Sequence, residues 1–304
     1  MKKALLALTL SACASAGGSI LSTSFETSPP VGSSSTTATP TTEASTSTTT
    51  VATPVNSVPG GLPTTILYKG ELEMEITGPA GRGEWPVVVL VHGGGWLGGD
   101  HTMMEALADH LTASGVLVFN GDYRTIGRGG QHPETFEDVA CMVATGRALA
   151  PTYTDLADHI TLVGYSAGAH LGAVVALSEN RFANDCPVEA DSTPDGFVGL
   201  AGPYDSNLFG FLLTAFFGTR FDEDPRPWEE GNPYTYIGGN PKLEALLVHG
   251  TADEVVFDTF TGSFAARLDS AGYRVDFVSL EGMGHRDVID PAVVGELIRD
   301  FIRG

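Results

Sequence analysis

"HITLVGYSAG", residues 159–168, decides the fold. Ile160, Leu162 and Val163 are apolar with only Thr161 between them, as expected of a parallel strand covered on both faces. The run breaks at Gly164, and the chain resumes as an alanine-rich apolar stretch, 167 to 178, that reads as a helix. Ser166 therefore falls at a sharp strand-to-helix turn. In a chain with 38 glycines the pattern G-x-S-x-G arises by accident. What marks a nucleophile is the strand before it and the helix after it.

Working outward, the same texture repeats from about residue 64. "TILYKGELEMEIT" alternates as a β segment, and "WPVVVLVHGGGW" and "VLVFNGDYR" are buried strands. "HTMMEALADHLTASG" has helical spacing with a Gly stop, and "HPETFEDVACMVATGRALA" is a helix with Pro133 in its first turn. "GFVGLAGPY", "LEALLVHGTAD" and "YRVDFVSLEGMGH" follow as strands, with "FTGSFAARLDSAG" and "PAVVGELIRDFI" as helices. Strands alternating with helices at this spacing predict βαβ units: an α/β domain with a doubly wound, mostly parallel sheet flanked by helices, spanning 64–304.

Ligand chemistry in such sheets gathers at the carboxyl ends of the strands. Here those ends read "HGGGW", "GDYR", "GYSAG", "AGPY", "HGTADE" and "GMGH". A serine hydroxyl needs a base, and the base an acid, in the chain order Ser, Asp/Glu, His. Asp253 and His285 each follow a strand and meet that order, with Glu254 as the runner-up acid. His101, His110, His159 and His170 fall on helices or at a strand start, where packing or solvation is the expected role. His132 lies in a loop. An oxyanion needs fixed N–H donors, which the glycines of "HGGGW" and Ala167 after the nucleophile can provide.

These motifs, in this order over roughly 240 residues, resemble α/β-hydrolases of the hormone-sensitive-lipase and feruloyl-esterase-like carboxylesterase groups. The resemblance implies the α/β-hydrolase fold, a Ser166, Asp253 and His285 triad, an oxyanion hole of Gly94, Gly95 and Ala167, and a His92 that orients the glycine loop. It also leads us to expect Trp96, Tyr165 and Phe209 in the substrate pocket. The implied activity is hydrolysis of a small-molecule carboxylic ester through an acyl-enzyme, with no metal or organic cofactor. Lipase, feruloyl or acetylxylan esterase and arylformamidase are alternatives on the same triad. A peptidase of the prolyl-oligopeptidase type would carry propeller repeats, and a dead binding module would have lost a triad residue. Two departures stand out. "GDYR" has Asp122 where these groups more often have Asn, and residues before 64 form no folded cap. "LFGFLLTAFFG", within 203–240, is therefore expected to act as a lid or acyl-pocket helix, with packing onto the sheet as the alternative.

The remainder of the chain reads differently. Lys2, Lys3 and the apolar run Ala4–Leu10 form an export signal, 1–16, too short to span a bilayer. "LSAC" resembles a bacterial lipobox that makes Cys13 the lipidated first residue. "ASA" at 14–16 instead fits ordinary secretion, so the expected locations are a membrane lipoprotein on the outer side or a secreted protein. Residues 17–63, rich in Ser, Thr and Pro, read as a disordered stalk of about 40 Å if flexible. Lys2 and Lys3 offset Glu26 and Glu43, so the domain after the stalk carries the whole charge of −21. So acidic a surface argues against nucleic acid and anionic lipid as partners, leaving the N-terminal lipid as the only expected membrane contact. The acidic stretch 220–233 lacks D-x-D-x-D-G spacing and reads as a solvated loop. Cys141 and Cys186 would be the remaining thiols, expected as a disulfide in an exported chain, with two buried free cysteines as the alternative.

Overall fold

The computed structural model describes residues 61–205 and 210–304. The export signal, Cys13, nearly all of the stalk and Phe209 lie outside the described residues.

Eight strands form one sheet in the order β1-β2-β4-β3-β5-β6-β7-β8. The "TILYKGELEMEIT" stretch is two strands, β1 (Thr64–Lys69) and β2 (Leu72–Thr77), paired antiparallel. Gly70, at φ 59°, turns the chain between them, a conformation that glycine adopts without a Cβ clash. β2 runs antiparallel to β4 (Leu117–Gly121), and every later pairing is parallel: β4 with β3 (Val87–Val91), β3 with β5 (Ile160–Tyr165), then β6 (Gly196–Leu200), β7 (Glu244–Gly250) and β8 (Arg274–Leu280).

Every residue of β3, β4, β5 and β6 is buried, which is why these strands read as largely apolar runs. Side chains alternate between two cores. Val88, Leu90, Val118 and Val163 meet α1 (Glu105–Ala113) and α7 (Pro291–Arg303) on one face. Val87, Val89, Val91 and Leu162 meet α2 (Glu134–Tyr153), α3 (Ala167–Leu177) and α6 (Asp258–Ser270) on the other. Pro133 sits at the N-cap of α2, one residue earlier than expected.

The stretch expected as a lid contains α4 (Gly210–Phe217), followed by α5 (Arg226–Glu230). Leu213, Phe216 and Phe217 are buried in the core beside α2, with Phe216 edge-on to Phe136 at 5.6 Å and Phe217 4.7 Å from Trp228. These aromatic side chains anchor α4 to the body of the domain. Cys141, on α2, is bonded to Cys186 across 45 residues of chain, with Cα atoms 5.3 Å apart.

Candidate active site

The turn after β5 is strained in the manner its sequence foretells. Ser166 has φ 52° and ψ −119°, a sparsely populated conformation that costs a side-chain-bearing residue on the order of 1–3 kcal/mol. The N–H of Ser166 donates to the Leu200 carbonyl at 2.8 Å, tying the turn to the end of β6. The flanking glycines are required by proximity. A Cβ on Gly168 would lie 2.3 Å from the carbonyl oxygens of Val91 and His92, and one on Gly164 would lie 2.4 Å from the Gly168 oxygen. The start of α3 therefore sits hard against the end of β3, bringing Ser166 beside the glycine loop.

Two later strand ends deliver the other polar groups. His285 Nε2 is 2.9 Å from Ser166 Oγ, and His285 Nδ1 is 2.6 Å from Asp253 Oδ2. Asp253 Oδ1 accepts the N–H groups of Val255 and Val256, each at 2.8 Å. Burial raises the Asp253 carboxyl, but the Val256 N–H, the His285 ring and the Val255 N–H outweigh it and hold the group below the ordinary carboxylate value, hence ionised. Glu254, the runner-up acid, is exposed. The Tyr165 hydroxyl donates to the His285 carbonyl at 3.2 Å, and the two rings lie 5.2 Å apart. Burial, with the Asp253 charge behind it, pushes that hydroxyl up to about 12, so it remains a donor.

On the other side of Ser166 is the loop Gly93–Gly95. Gly94 has φ 114°, and a Cβ there would stand 1.9 Å from the Gly98 oxygen. The Gly94 carbonyl turns inward to accept from Leu97 and Gly98. Among the described residues, the N–H groups of Gly94, Gly95 and Ala167 donate to no protein carbonyl. His92 is buried, donates from Nδ1 to the Gly93 carbonyl at 2.7 Å and stacks on Tyr123 at 4.1 Å. Tyr123 in turn donates to the His92 and Gly93 carbonyls at 3.0 and 3.2 Å. Thus His92 shapes the loop from beneath.

Asp122, where the resemblance leads us to expect Asn, is held by partners of its own. Asp122 Oδ1 accepts the backbone N–H and ring Nδ1 of His101 at 2.7 and 2.8 Å, and Oδ2 takes Arg128 at 3.1 Å. Burial raises its carboxyl, and these donors bring it down to about 2. Two residues on, Arg124 makes a forked pair with the fully buried Asp138, 2.7 Å from each carboxylate oxygen. Both ends of "GDYR" are pinned by charge-assisted bonds.

Ser166 and His285 open into a cleft of about 640 Å³, lined also by Gly94, Gly95, Met103, Tyr165 and Val255. Its size suits a small-molecule site. Trp96, expected in the substrate pocket, is not among the described residues that line this cleft. At φ 61° its side chain turns inward and is 2% exposed, with Nε1 donating to His170 Nδ1 at 3.3 Å and the ring against Phe216. Burial lowers His170 to about 4, so it stays a neutral acceptor. Phe209 lies outside the described residues. Sequence reasoning missed His249, which is fully buried at the end of β7 and 3.1 Å from Asp253 Oδ2. Its signal was a lone polar residue inside the apolar run "ALLVHG", four residues before the acid.

The chain is similar to known esterases in sequence and to known esterase structures in fold. The chain is 28% identical over 224 residues to Esterase LipC and 26% identical over 232 residues to Esterase LipQ, both of Mycobacterium tuberculosis (strain ATCC 25618 / H37Rv). The matches cover 69% and 71% of this chain and 55% of each relative, so the chain spans about half the length of the curated relatives it matches. Among solved structures, the apo form of Thermogutta terrifontis esterase 2 superposes with a TM-score of 0.67 at 22% identity, covering 81% of this chain and 95% of that one. That likeness shows the fold, an α/β-hydrolase sheet. The model of the BD-FAE family matches residues 74–268, from β2 through most of α6, and takes in both Ser166 and Asp253; the chain belongs to that family.

Proposed function

We propose that this chain is a serine esterase that cleaves small-molecule carboxylic esters by acyl transfer. The observation that carries the reading is the unbroken hydrogen-bonded line from Asp253 through His285 to Ser166, ending in a cleft beside three backbone N–H groups that, among the described residues, donate to no protein carbonyl. The curated relatives named as esterases support it.

An ester carbonyl seated over Ser166 directs its oxygen to the Gly94, Gly95 and Ala167 amides. His285 Nε2 takes the Ser166 proton as Oγ attacks, and Asp253 stabilises the imidazolium and holds Nδ1 protonated. As negative charge moves onto the carbonyl oxygen, each amide contributes on the order of 3 kcal/mol that it does not contribute to the ground state. His285 then returns its proton to the departing alcohol, and water repeats the cycle on the acyl-enzyme. Met103, Tyr165 and Val255 give the cleft an apolar wall suited to an uncharged acyl or alcohol group.

The N-terminus supports export of this enzyme, with Cys13 as a lipid-bearing residue and 17–63 as a tether; incorporation of labelled palmitate, abolished by Cys13→Ala, tests that part. The catalytic reading is tested with p-nitrophenyl esters from acetate to palmitate, using the full chain and Ser166→Ala. Turnover by wild type and none by the variant is expected, and the chain-length optimum separates esterase from lipase. Equal turnover by both would overturn the assignment.

A further inference from the structure

His249 lies within the domain, 0% exposed, yet both its ring nitrogens are engaged. Nε2 faces two acceptors, the Val256 carbonyl at 2.8 Å and Asp253 Oδ2 at 3.1 Å. Neither can donate while Asp253 is ionised, so Nε2 must carry the hydrogen. Nδ1 lies 2.6 Å from Thr261 Oγ1. With Nδ1 bare, the Thr261 hydroxyl donates to it. Were Nδ1 protonated, that hydroxyl would have to turn to the Gly202 carbonyl, 3.5 Å away and a poor partner. The surroundings thus select one neutral tautomer, with its single N–H aimed at the catalytic side.

The consequence falls on Asp253. Oδ1 takes two backbone N–H groups, while Oδ2 takes His285 and His249. Four donors fill the four lone-pair directions of the carboxylate, leaving it no freedom to rotate about its own axis. We propose that His249 is a positioning residue for the acyl-transfer reaction, a second imidazole that shares Asp253 Oδ2 with His285, fixing the carboxylate and drawing off part of the charge available to His285. The inference rests on the esterase reading above. The titratable groups facing His249 are Asp253 and, across that carboxylate, His285. From α6 it meets the neutral Thr261 hydroxyl, and behind that the Gly202 carbonyl from the segment after β6.

Removing the His249 donor leaves more charge on Oδ2, so His285 binds its proton more tightly. The acid limb of the kcat/KM profile then moves to higher pH. Because the bond is present in both protonation states of His285, only its change in strength moves the limb, so the shift is at most about one pH unit. The test measures ester hydrolysis against pH for wild type, His249→Leu and His249→Gln. Expected are an upward shift of the acid limb and a lower kcat with little change in KM for His249→Leu, and substantial return toward wild type for His249→Gln, whose amide restores a donor. A folded His249→Leu with an unshifted limb overturns the inference, since loss of packing alone does not move the limb. Histidine nitrogen NMR of the wild type provides a reading independent of whether the variants fold. His249 is expected as the Nε2–H tautomer throughout the pH series of the kinetics, and an Nδ1–H tautomer would overturn the assignment. An inactive wild type would instead sink the esterase reading itself.

Discussion

Ser166 Oγ and His285 Nε2 stand 2.9 Å apart although 119 residues separate them in the chain. That spacing is within reach for direct proton transfer. Ser166→Ala removes the nucleophile and leaves the rest of the cleft in place, so turnover is expected to fall by at least about 10⁴-fold. Circular dichroism and the melting temperature should stay near wild type. A variant retaining a tenth of the activity would sink Ser166 as nucleophile.

Gly94 combines a positive φ with a Cβ position 1.9 Å from the Gly98 oxygen. Gly94→Ala must therefore displace the loop and with it an amide aimed at the developing oxyanion. We expect kcat to drop by about 10²-fold or more, with KM much less affected. Steady-state kinetics on one p-nitrophenyl ester decide it. A loss confined to KM would assign the loop to ground-state binding.

Trp96 is held in the core by His170 and Phe216. Trp96→Ala is predicted to cost about 3–5 kcal/mol in stability, as a large buried aromatic does. Among folded molecules, chain-length preference should remain as in wild type. A changed preference at unchanged stability, measured by denaturant melts and the ester series, would return Trp96 to the substrate pocket.

Asp122 is held at about 2, against an ordinary 3.8. Because the folded value is the lower one, the stabilisation is present at neutral pH and fades as pH falls from about 4 to about 2. The full amount is on the order of 2 kcal/mol. His101 is raised by the same hydrogen bond, so its share is complete in acid and is lost as pH rises through its folded value. Urea melts at pH 6 and pH 2.5 should show wild type losing this increment relative to Asp122→Asn. Parallel losses in the two proteins would place the acid sensitivity elsewhere.

Cys141 and Cys186 close a loop separated by 45 residues that contains Ser166. On the chain-entropy view, replacing both with Ala lowers stability by about 2–4 kcal/mol. Denaturant melts of the oxidised wild type against the double variant check it. Identical midpoints would mean that the bond constrains little in the unfolded chain.

Local patterns determined much of this protein by themselves. β3 to β6 are buried on both faces, so their apolar runs could be read without knowing their neighbours, and the order Ser166, Asp253, His285 followed from which residues stand at strand ends. Gly70 hides within an alternating stretch because a turn there needs only one residue at positive φ, and the hairpin of β1 and β2 became visible only with their pairing. The inward turn of Trp96, the burial of Phe216 and Phe217 and the second imidazole on Asp253 were decided by the tertiary structure alone. Each depends on which side of the backbone a side chain leaves and on what a distant segment places there. Pattern along the chain records periodicity and strand ends, whereas the sharing of one carboxylate oxygen by His249 and His285 exists only once β7 and the loop after β8 lie side by side.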